Sequence, residues 1–474
     1  MTGDQDRYSR PTATMAVVEP TERVRKNTLA CRLGVDLKYD DRVLAAYFFR
    51  DPDPRTLDLI RVAGAVALMD RRVTRRPSVD WGRDLELSIP VSNPDFWSSS
   101  DVSKSLLCML GMLTGDTWNI KFHKQWSKRE EKTRSYLPFP PDRAVAMAFS
   151  DGLDSLAVWR LAAAGAIHIP SGPNSRLDLV LVTTGHQRDA ERERKHGRHG
   201  ETTRRVAVPF QLPTKGGAYR LRESSYRSRA FVFQTMAAIA AVQSEGDLVI
   251  VAESGQGSLG PWLVPVGQEA SDIRTHPLFT RALSRLLEFV FGRRIKFVHP
   301  QLWLTKGETL RLLVEAKLHD GWQDSFSCAV QIRHQTKQGA RLHCGICPNC
   351  LLRRQSVFAA GLPDPDQQYD HAELIEGFGL LTPNTSDQKV DRIIRRAALG
   401  FMPLHQLARL ADEPFSECTL PAAYRILAEI ERTSEEVIAE RVRRLIGVHD
   451  SEFSQFINSR GPNSFLRHLA SHLS

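Results

Sequence analysis

The stretch VAMAFSDGLDSLAVWRL, residues 145–161, ends an apolar run in Ser150-Asp151-Gly152-Leu153-Asp154-Ser155 and continues as helix-like sequence. A strand, a short turn and a helix in that order aim backbone N–H groups and a helix N-terminus at one point, which suits an anion. Ser150 and Ser155 bring hydroxyl donors for phosphate oxygens. Gly152 allows close backbone approach and a positive φ. Asp154 is placed to cap the helix and orient the loop. Asp151 is the misfit. Aspartate tolerates left-handed geometry better than most residues, but its charge opposes an anion unless it faces solvent or Mg2+. A plain turn with a helix cap is the competing reading. No GxxxxGK[ST] pattern occurs, which argues against an ordinary P-loop NTPase.

A second constellation follows in SCAVQIRHQTKQGARLHCGICPNCLLRR, where Cys328 stands alone and Cys344, Cys347 and Cys350 form C-x2-C-x2-C. Thiolates at this spacing converge on a tetrahedral Zn2+, and Gly345 and Pro348 suit the tight turns required. A redox CxxC pair and an iron–sulfur cluster are the alternatives, with zinc favoured over both. Four sulfur ligands would make the ion structural rather than catalytic, and its binding would contribute on the order of 10 kcal/mol to local folding. His343 is a spare ligand at most, expected outside the sulfur shell or exposed. Cys31, Cys108 and Cys418 are scattered and read as ordinary thiols. A third motif, GQGSLG at 255–260, matches GxGxxG after the strand-like DLVIVAES. Pro261-Trp262 follows and no helix is expected to open, so the stretch reads as a loop and not as a dinucleotide fingerprint.

These residues need elements to hold them. Residues 27–126 read as an α+β domain, with strand-like LGVDLKYD, RVLAAYFF, LELSIPV and TWNIKFH around two helices, TLDLIRVAGAVALMDRRV and VSKSLLCMLGMLTGD. No catalytic constellation shows in it. Residues 127–142 form a charged, proline-rich linker. From 143 to about 325, continuous apolar strands alternate with helical patterns, which predicts a parallel sheet covered on both faces. Such sheets seat ligands beyond the carboxyl ends of their strands. RDAERERKHGRHGETTRR, at 188–205, reads as a solvated loop or, in a sharper reading, as a basic flap over an anionic substrate or partner. Residues 373–474 carry helical patterns only and predict a small helical domain with solvated charged faces.

At 474 residues the prior is about three domains, and 42% hydrophobic residues suffice for a core in each. A net charge of +9 favours anionic partners and says nothing of fold. No run approaches 18 apolar residues, so no transmembrane helix is expected. Residues 1–26 lack the apolar core of a signal peptide and read as a disordered tail. A cytoplasmic protein with reduced thiols is expected.

The SxGxDS pattern resembles the PP-loop of ATP pyrophosphatases, usually SGGxDS, which split ATP between its α- and β-phosphates, adenylate a substrate and release pyrophosphate. Both motifs in this order resemble the 7-cyano-7-deazaguanine synthase (QueC) family, with a PP-loop early in an α/β domain and a four-cysteine zinc site near its end. HCGICPNCLLRRQSVFAAGLPDPDQQY is similar to that family's HCGxCxxCxxR…AF…AG…DP…Y ending, RSRAF to its Arg-rich turn and WLTKGETL to its Lys-x-Glu helix start. The resemblance covers about residues 143–370 and is carried most specifically by the zinc segment. It implies an α/β fold: a parallel-sheet, adenine nucleotide alpha hydrolase-like core over 143–372, preceded by the α+β domain and followed by the helical one.

The resemblance further implies ATP, Mg2+ and Zn2+ as cofactors and 7-carboxy-7-deazaguanine as substrate. Ser150, Asp151, Gly152, Leu153, Asp154 and Ser155 would form the loop on the ATP phosphates. Arg227 or Arg229 would face the substrate carboxylate or a phosphate, with a surface ion pair as the alternative, and Lys306 would neutralise developing phosphate charge. Glu253, at a strand's carboxyl end, would recognise the deazaguanine's guanidine-like edge. Asp151 departs from the family's usual glycine. About 120 further residues precede the core and 100 follow it, as in expanded QueC-like proteins of antiphage defence systems such as Qat and type IV CBASS. That form implies an ATP-dependent ligase joining the deazaguanine to a partner protein's N-terminal amine. The alternatives are a free nitrile synthase for nucleic-acid modification and a non-catalytic nucleotide-binding scaffold. Nucleic acid is an allowed but unneeded partner, and a homodimer is allowed.

Overall fold

The computed structural model describes residues 9–40, 52–125, 143–170, 177–185, 203–213, 221–264, 267, 269–329, 336–337, 340–371, 387–412 and 420–473. The strand-like stretch at 42–49, the linker at 127–142, Cys418 and most of the basic stretch at 188–205 lie outside them. The chain forms two compact units that interleave in sequence. The first comprises Met1–Phe149, Ile169–Val251 and Pro265–His299, and the second Ser150–His168, Ala252–Val264 and Pro300–Ser474.

The strands of the first unit are β1 (Thr12–Val18), β2 (Thr28–Arg32), β3 (Lys38–Tyr39), β4 (Asp84–Val91), β5 (Thr117–Lys124), β6 (Val145–Ala148), β7 (Leu179–Gly185), β8 (Thr203–Gln211), β9 (Leu248–Ile250) and β10 (Lys296–Val298). One sheet has the order β2-β1-β4-β5, and every pairing in it is parallel. This corrects two expectations. The first segment is not α+β, because parallel strands need crossovers and the Pro54–Arg72 helix supplies one between β2 and β4. Thr12–Val18, expected as part of a disordered tail, is an inner strand whose Met15 and Val17 are fully buried. Its short TATMAVV pattern alternates at period two and stabilises nothing until β2 and β4 flank it.

The other sheet has the order β10-β9-β6-β7-β8-β3, parallel except for β3 at the edge, which runs antiparallel to β8. Strand β8 was not anticipated, because TRRVAVPFQ adjoins a strongly basic stretch. Order reverses at β6, with β7 on one side and β9 on the other. The chain runs out of β6 at this switch point, where open parallel sheets place ligands. The Arg229–Gln243 helix, apolar on almost every face, packs on β6, β7 and β9 and against the Pro54–Arg72 helix.

A buried charge network ties the first unit together. Arg83, fully buried, donates to Asp70 and Asp116 at 2.6 Å each, and Arg75 donates to Asp116 at 2.7 Å. Ser228 donates to Asp70 through its backbone N–H at 2.9 Å and its hydroxyl at 2.7 Å. Burial alone would raise the Asp70 carboxyl, but Arg83 and the Ser228 hydrogen bonds outweigh it and hold it below its ordinary range. The turn before the Arg229–Gln243 helix is thereby anchored to the Pro54–Arg72 helix.

The second unit is mostly helical, with a two-stranded antiparallel sheet of Thr336–Lys337 and Ala340–Arg341. Leu153, Ala157 and Leu161 of the Leu153–Ala163 helix share a core with Leu310, Leu313, Trp322 and Val357. Cys344, Cys347 and Cys350 share another with Phe401, Phe453, Phe456 and Phe465. The C-terminal helices, expected as a small domain of their own, belong to the same compact unit as the cysteine segment. GQGSLG also differs from the expected loop: Gly255–Ser258 and Gly260–Leu263 are two short helical turns.

Candidate nucleotide site and metal centre

Hydrogen bonds from and to its own hydroxyls close the phosphate-loop candidate. Ser155 Oγ lies 3.0 Å from Ser150 Oγ and accepts from the Ser150 N–H at 3.3 Å, while Ser150 Oγ accepts from the Gly152 N–H at 3.2 Å. The Leu153 N–H donates to Ser327 Oγ at 3.3 Å, and the Phe326 N–H donates to the Asp151 carbonyl at 2.6 Å. A strap at 326–327 therefore crosses the loop immediately before Cys328. Gly152 is the N-cap of the Leu153–Ala163 helix with φ −74°, so neither the expected positive φ nor capping by Asp154 occurs. Asp154 sits in the first helical turn instead, where its charge favours the helix dipole. Asp151 is exposed and meets the strap through its backbone.

Asp154 is committed to Lys306. Their side chains form a 2.7 Å ion pair, with Lys306 almost fully buried. Lys306 opens the Lys306–Glu315 helix, whose Thr305 and Glu308 form a complete capping box. Burial works to strip Lys306 of its proton, but Asp154 and Glu253 outweigh it and hold its ammonium above the ordinary lysine range. Glu253 joins the pair. Its carboxyl occupies the space that a Cβ on Gly257 would fill, and it hydrogen-bonds Asp154. Burial first, and then the Asp154 charge, push Glu253 up to about 8 against the pull of Lys306. One ammonium thus serves two carboxyls, and Glu253 keeps the proton at neutral pH. This places Glu253 beside Asp154 of the phosphate loop.

The sulfur atoms of Cys328, Cys344, Cys347 and Cys350 all lie within 4.8 Å of one another. A tetrahedral Zn2+ with bonds of about 2.3 Å separates its sulfurs by about 3.8 Å, and Cys344 Sγ lies 3.8 Å from Cys350 Sγ. Backbone N–H groups of Cys344 and Cys347 donate to Cys328 Sγ and Cys344 Sγ at 3.4 Å each. Cys347 occupies the N-cap position of the Pro348–Ala359 helix without a side-chain capping bond, and Cys350 lies in its first turn, where the dipole favours thiolates. The donor set fits a structural zinc. His343 is neither ligand nor exposed: it is buried and stacks on Phe326 with ring centroids 4.7 Å apart.

Three curated relatives match parts of the chain. All are named 7-cyano-7-deazaguanine synthase. The protein from Methanothermobacter thermautotrophicus is 32% identical over 110 residues, covering 22% of this chain and 44% of its own length. That from Gloeobacter violaceus is 34% identical over 91 residues, covering 19% and 37%. That from Anaeromyxobacter sp. is 32% identical over 127 residues, covering 25% and 51%. The chain is similar to 7-cyano-7-deazaguanine synthases. It spans about half or less of the relatives' lengths, and no family model matches it.

Within this QueC-like chain the second unit gathers Ser150, Gly152, Asp154, Ser155, Glu253 and Lys306. The arginines belong to the first unit. Arg227 is mostly buried, lies 4.9 Å over the Trp81 ring, and pairs with Glu269 at 3.5 Å and Asp272 at 3.6 Å. Arg229 is exposed and begins the Arg229–Gln243 helix. Arg353 is the arginine of the HCGxCxxCxxR pattern, which assigns it no role. It is fully buried, lies 5.0 Å over the Trp322 ring and donates to Ser325 Oγ at 2.7 Å, beside the strap. Its signal is its place three residues after Cys350. Gln256, His449 and Glu452 escaped the sequence reading, because nothing local marks them. No helix among the described residues is long and apolar enough to cross a membrane.

Proposed function

We propose that the chain is an ATP-dependent, QueC-like PP-loop enzyme that activates the carboxylate of 7-carboxy-7-deazaguanine by adenylation and transfers the acyl group to nitrogen. The observation that carries this reading is Lys306, buried against Asp154 of the phosphate loop at 2.7 Å in the unit that also holds the four-cysteine centre. A carboxylate is a poor electrophile. Its oxygen bonds to the α-phosphorus, the bond to the β-phosphate breaks, and pyrophosphate leaves. An amine then attacks the acyl carbon, AMP departs, an amide forms and the amine loses a proton.

Each residue has a place in that scheme. The N–H groups of Gly152 and Leu153 pass from the Ser150 and Ser327 hydroxyls to phosphate oxygens, and Ser150 and Ser155 add their own donors. Lys306 neutralises charge that develops on the leaving phosphates. Asp154 is the ionised oxygen ligand available to Mg2+, and Glu253 can join it only by giving up its proton. Cys328, Cys344, Cys347 and Cys350 hold a zinc whose work is structural.

The proposed acceptor is the N-terminal amine of a partner protein, in the manner of antiphage defence ligases of the Qat and type IV CBASS kind. The extent of the chain beyond its matched quarter or less supports this. The names of the relatives favour a second reading, in which ammonia gives the amide and a second ATP adenylates the amide oxygen, which leaves with AMP as the nitrile forms. Incubation with ATP, 7-carboxy-7-deazaguanine, ammonium and the protein encoded beside the gene, followed by intact-protein and small-molecule mass spectrometry, separates them. A deazaguanine amide mass on the partner supports the ligase. A free nitrile with an unmodified partner supports the synthase. Neither AMP nor pyrophosphate with any acceptor leaves a nucleotide-binding scaffold.

A further inference from the structure

The Lys306 backbone N–H is the first donor of its helix and has no intrahelical partner. It donates to Gln256 Oε1 at 2.8 Å. The other end of that amide meets His449 of the Glu435–Asn458 helix, with Gln256 Nε2 2.6 Å from His449 Nδ1. His449 is fully buried, and its Nε2 lies 2.9 Å from the Leu404 carbonyl. A carbonyl only accepts, so Nε2 carries the ring proton and Nδ1 accepts from Gln256. That tautomer leaves the Gln256 amide one orientation, with its oxygen toward Lys306. Burial keeps the ring neutral, with its pKa lowered to about 4.

A second group from the same helix reaches the same turn. Glu452 Oε1 accepts from Thr305 Oγ1 at 2.9 Å and from Arg311 at 2.9 Å. Its carboxylate lies where a Cβ on Gly307 would have to be, 2.4 Å from Oε1, so only glycine lets it approach. Thr305 is thus held by Glu452 and Lys306 by Gln256 backed by His449, while Gly307 leaves room for the Glu452 carboxylate.

We propose that His449 and Glu452 of the C-terminal helical segment, with Gln256, are positioning residues that aim Lys306 at Asp154 of the phosphate loop. The role assigned to Lys306 rests on the functional reading above. The C-terminal helices then form part of the nucleotide site's scaffold.

The test uses the full chain with Gln256→Ala, His449→Ala, Glu452→Ala and Glu452→Gln, each checked for zinc content and melting temperature. Amide-resolved hydrogen exchange reads the Lys306 N–H, and pyrophosphate release reads activity with ATP and 7-carboxy-7-deazaguanine. Gln256→Ala and His449→Ala are expected to speed exchange at Lys306 by about tenfold or more while the interior of its helix stays protected. They are expected to lower kcat by about ten- to a hundredfold, the penalty of a displaced reacting group, with a smaller change in KM for ATP. Glu452→Gln keeps an acceptor for Thr305 and should retain activity to within a few-fold, whereas Glu452→Ala should not. Unchanged Lys306 exchange in folded, zinc-loaded Gln256→Ala overturns the proposal, as does equal activity of the two Glu452 variants. If Gln256→Ala or His449→Ala does not fold, the Glu452 pair decides. A wild-type chain that releases no pyrophosphate refutes the functional reading, while the exchange measurement still decides the positioning.

Discussion

Lys306 Nζ and Asp154 Oδ2 lie 2.7 Å apart, and the buried ammonium is shared with Glu253. Removing the cation leaves two carboxyls facing each other without compensation. Lys306→Met is expected to reduce pyrophosphate release by about a hundredfold or more. It should also lower folding stability by about 3 kcal/mol, because a buried charge loses its partner. Pyrophosphate assay and urea unfolding at neutral pH check the two halves separately.

Glu253 carries a pH signature. Its folded pKa of about 8 lies above the ordinary value of 4.5. The folded state therefore binds its proton more tightly than the unfolded state does. This contribution is fully present below about pH 4.5, declines as pH rises, and is gone above about pH 8. Glu253→Gln, neutral at every pH, should gain stability relative to wild type as pH rises from about 4.5 to about 8. Urea midpoints that fall in parallel for the two chains over that range would contradict the assignment.

The cysteine centre predicts metal content. Wild type should carry one zinc per chain, and Cys347→Ser should lose it together with more than about 4 kcal/mol of stability. The strap between Cys328 and the phosphate loop adds a consequence: chelation should weaken ATP binding along with folding. Elemental analysis and calorimetric ATP titration check both.

Asp151 meets the strap through its carbonyl, and its side chain is exposed. Asp151→Gly keeps that carbonyl and removes a negative charge beside the proposed phosphates. ATP-dependent activity should be retained or rise by a few-fold. A collapse would assign the carboxylate to Mg2+ or substrate.

Much of this protein is legible locally. The run AVAMA, the turn SDGLDS and the helix after it are specified by neighbours in the chain, because apolar continuity, a glycine and hydroxyls act over a few residues. C-x2-C-x2-C announces a metal centre for the same reason: three ligands lie within one turn and a half of chain. The helices at Pro54–Arg72, Ser100–Thr114 and Pro277–Phe291 follow from their apolar spacing.

Only the tertiary structure decided the rest. The parallel pairing of β1 depends on partners that no local pattern names, and β8 hides in basic sequence because paired backbone outweighs side-chain polarity there. Asp154 had the look of a helix cap. Its partner Lys306 arrives from another helix, and two charges in a low-dielectric interior interact more strongly than a cap does. Glu253 reads as a strand-end residue, but burial beside Asp154 makes it a proton carrier. Gln256 and His449 are 193 residues apart. Their hydrogen bond, and the tautomer that directs it toward Lys306, exist only because folding buries both side chains together. Local patterns supply the reactive groups, while burial and long-range pairing determine their charge and direction.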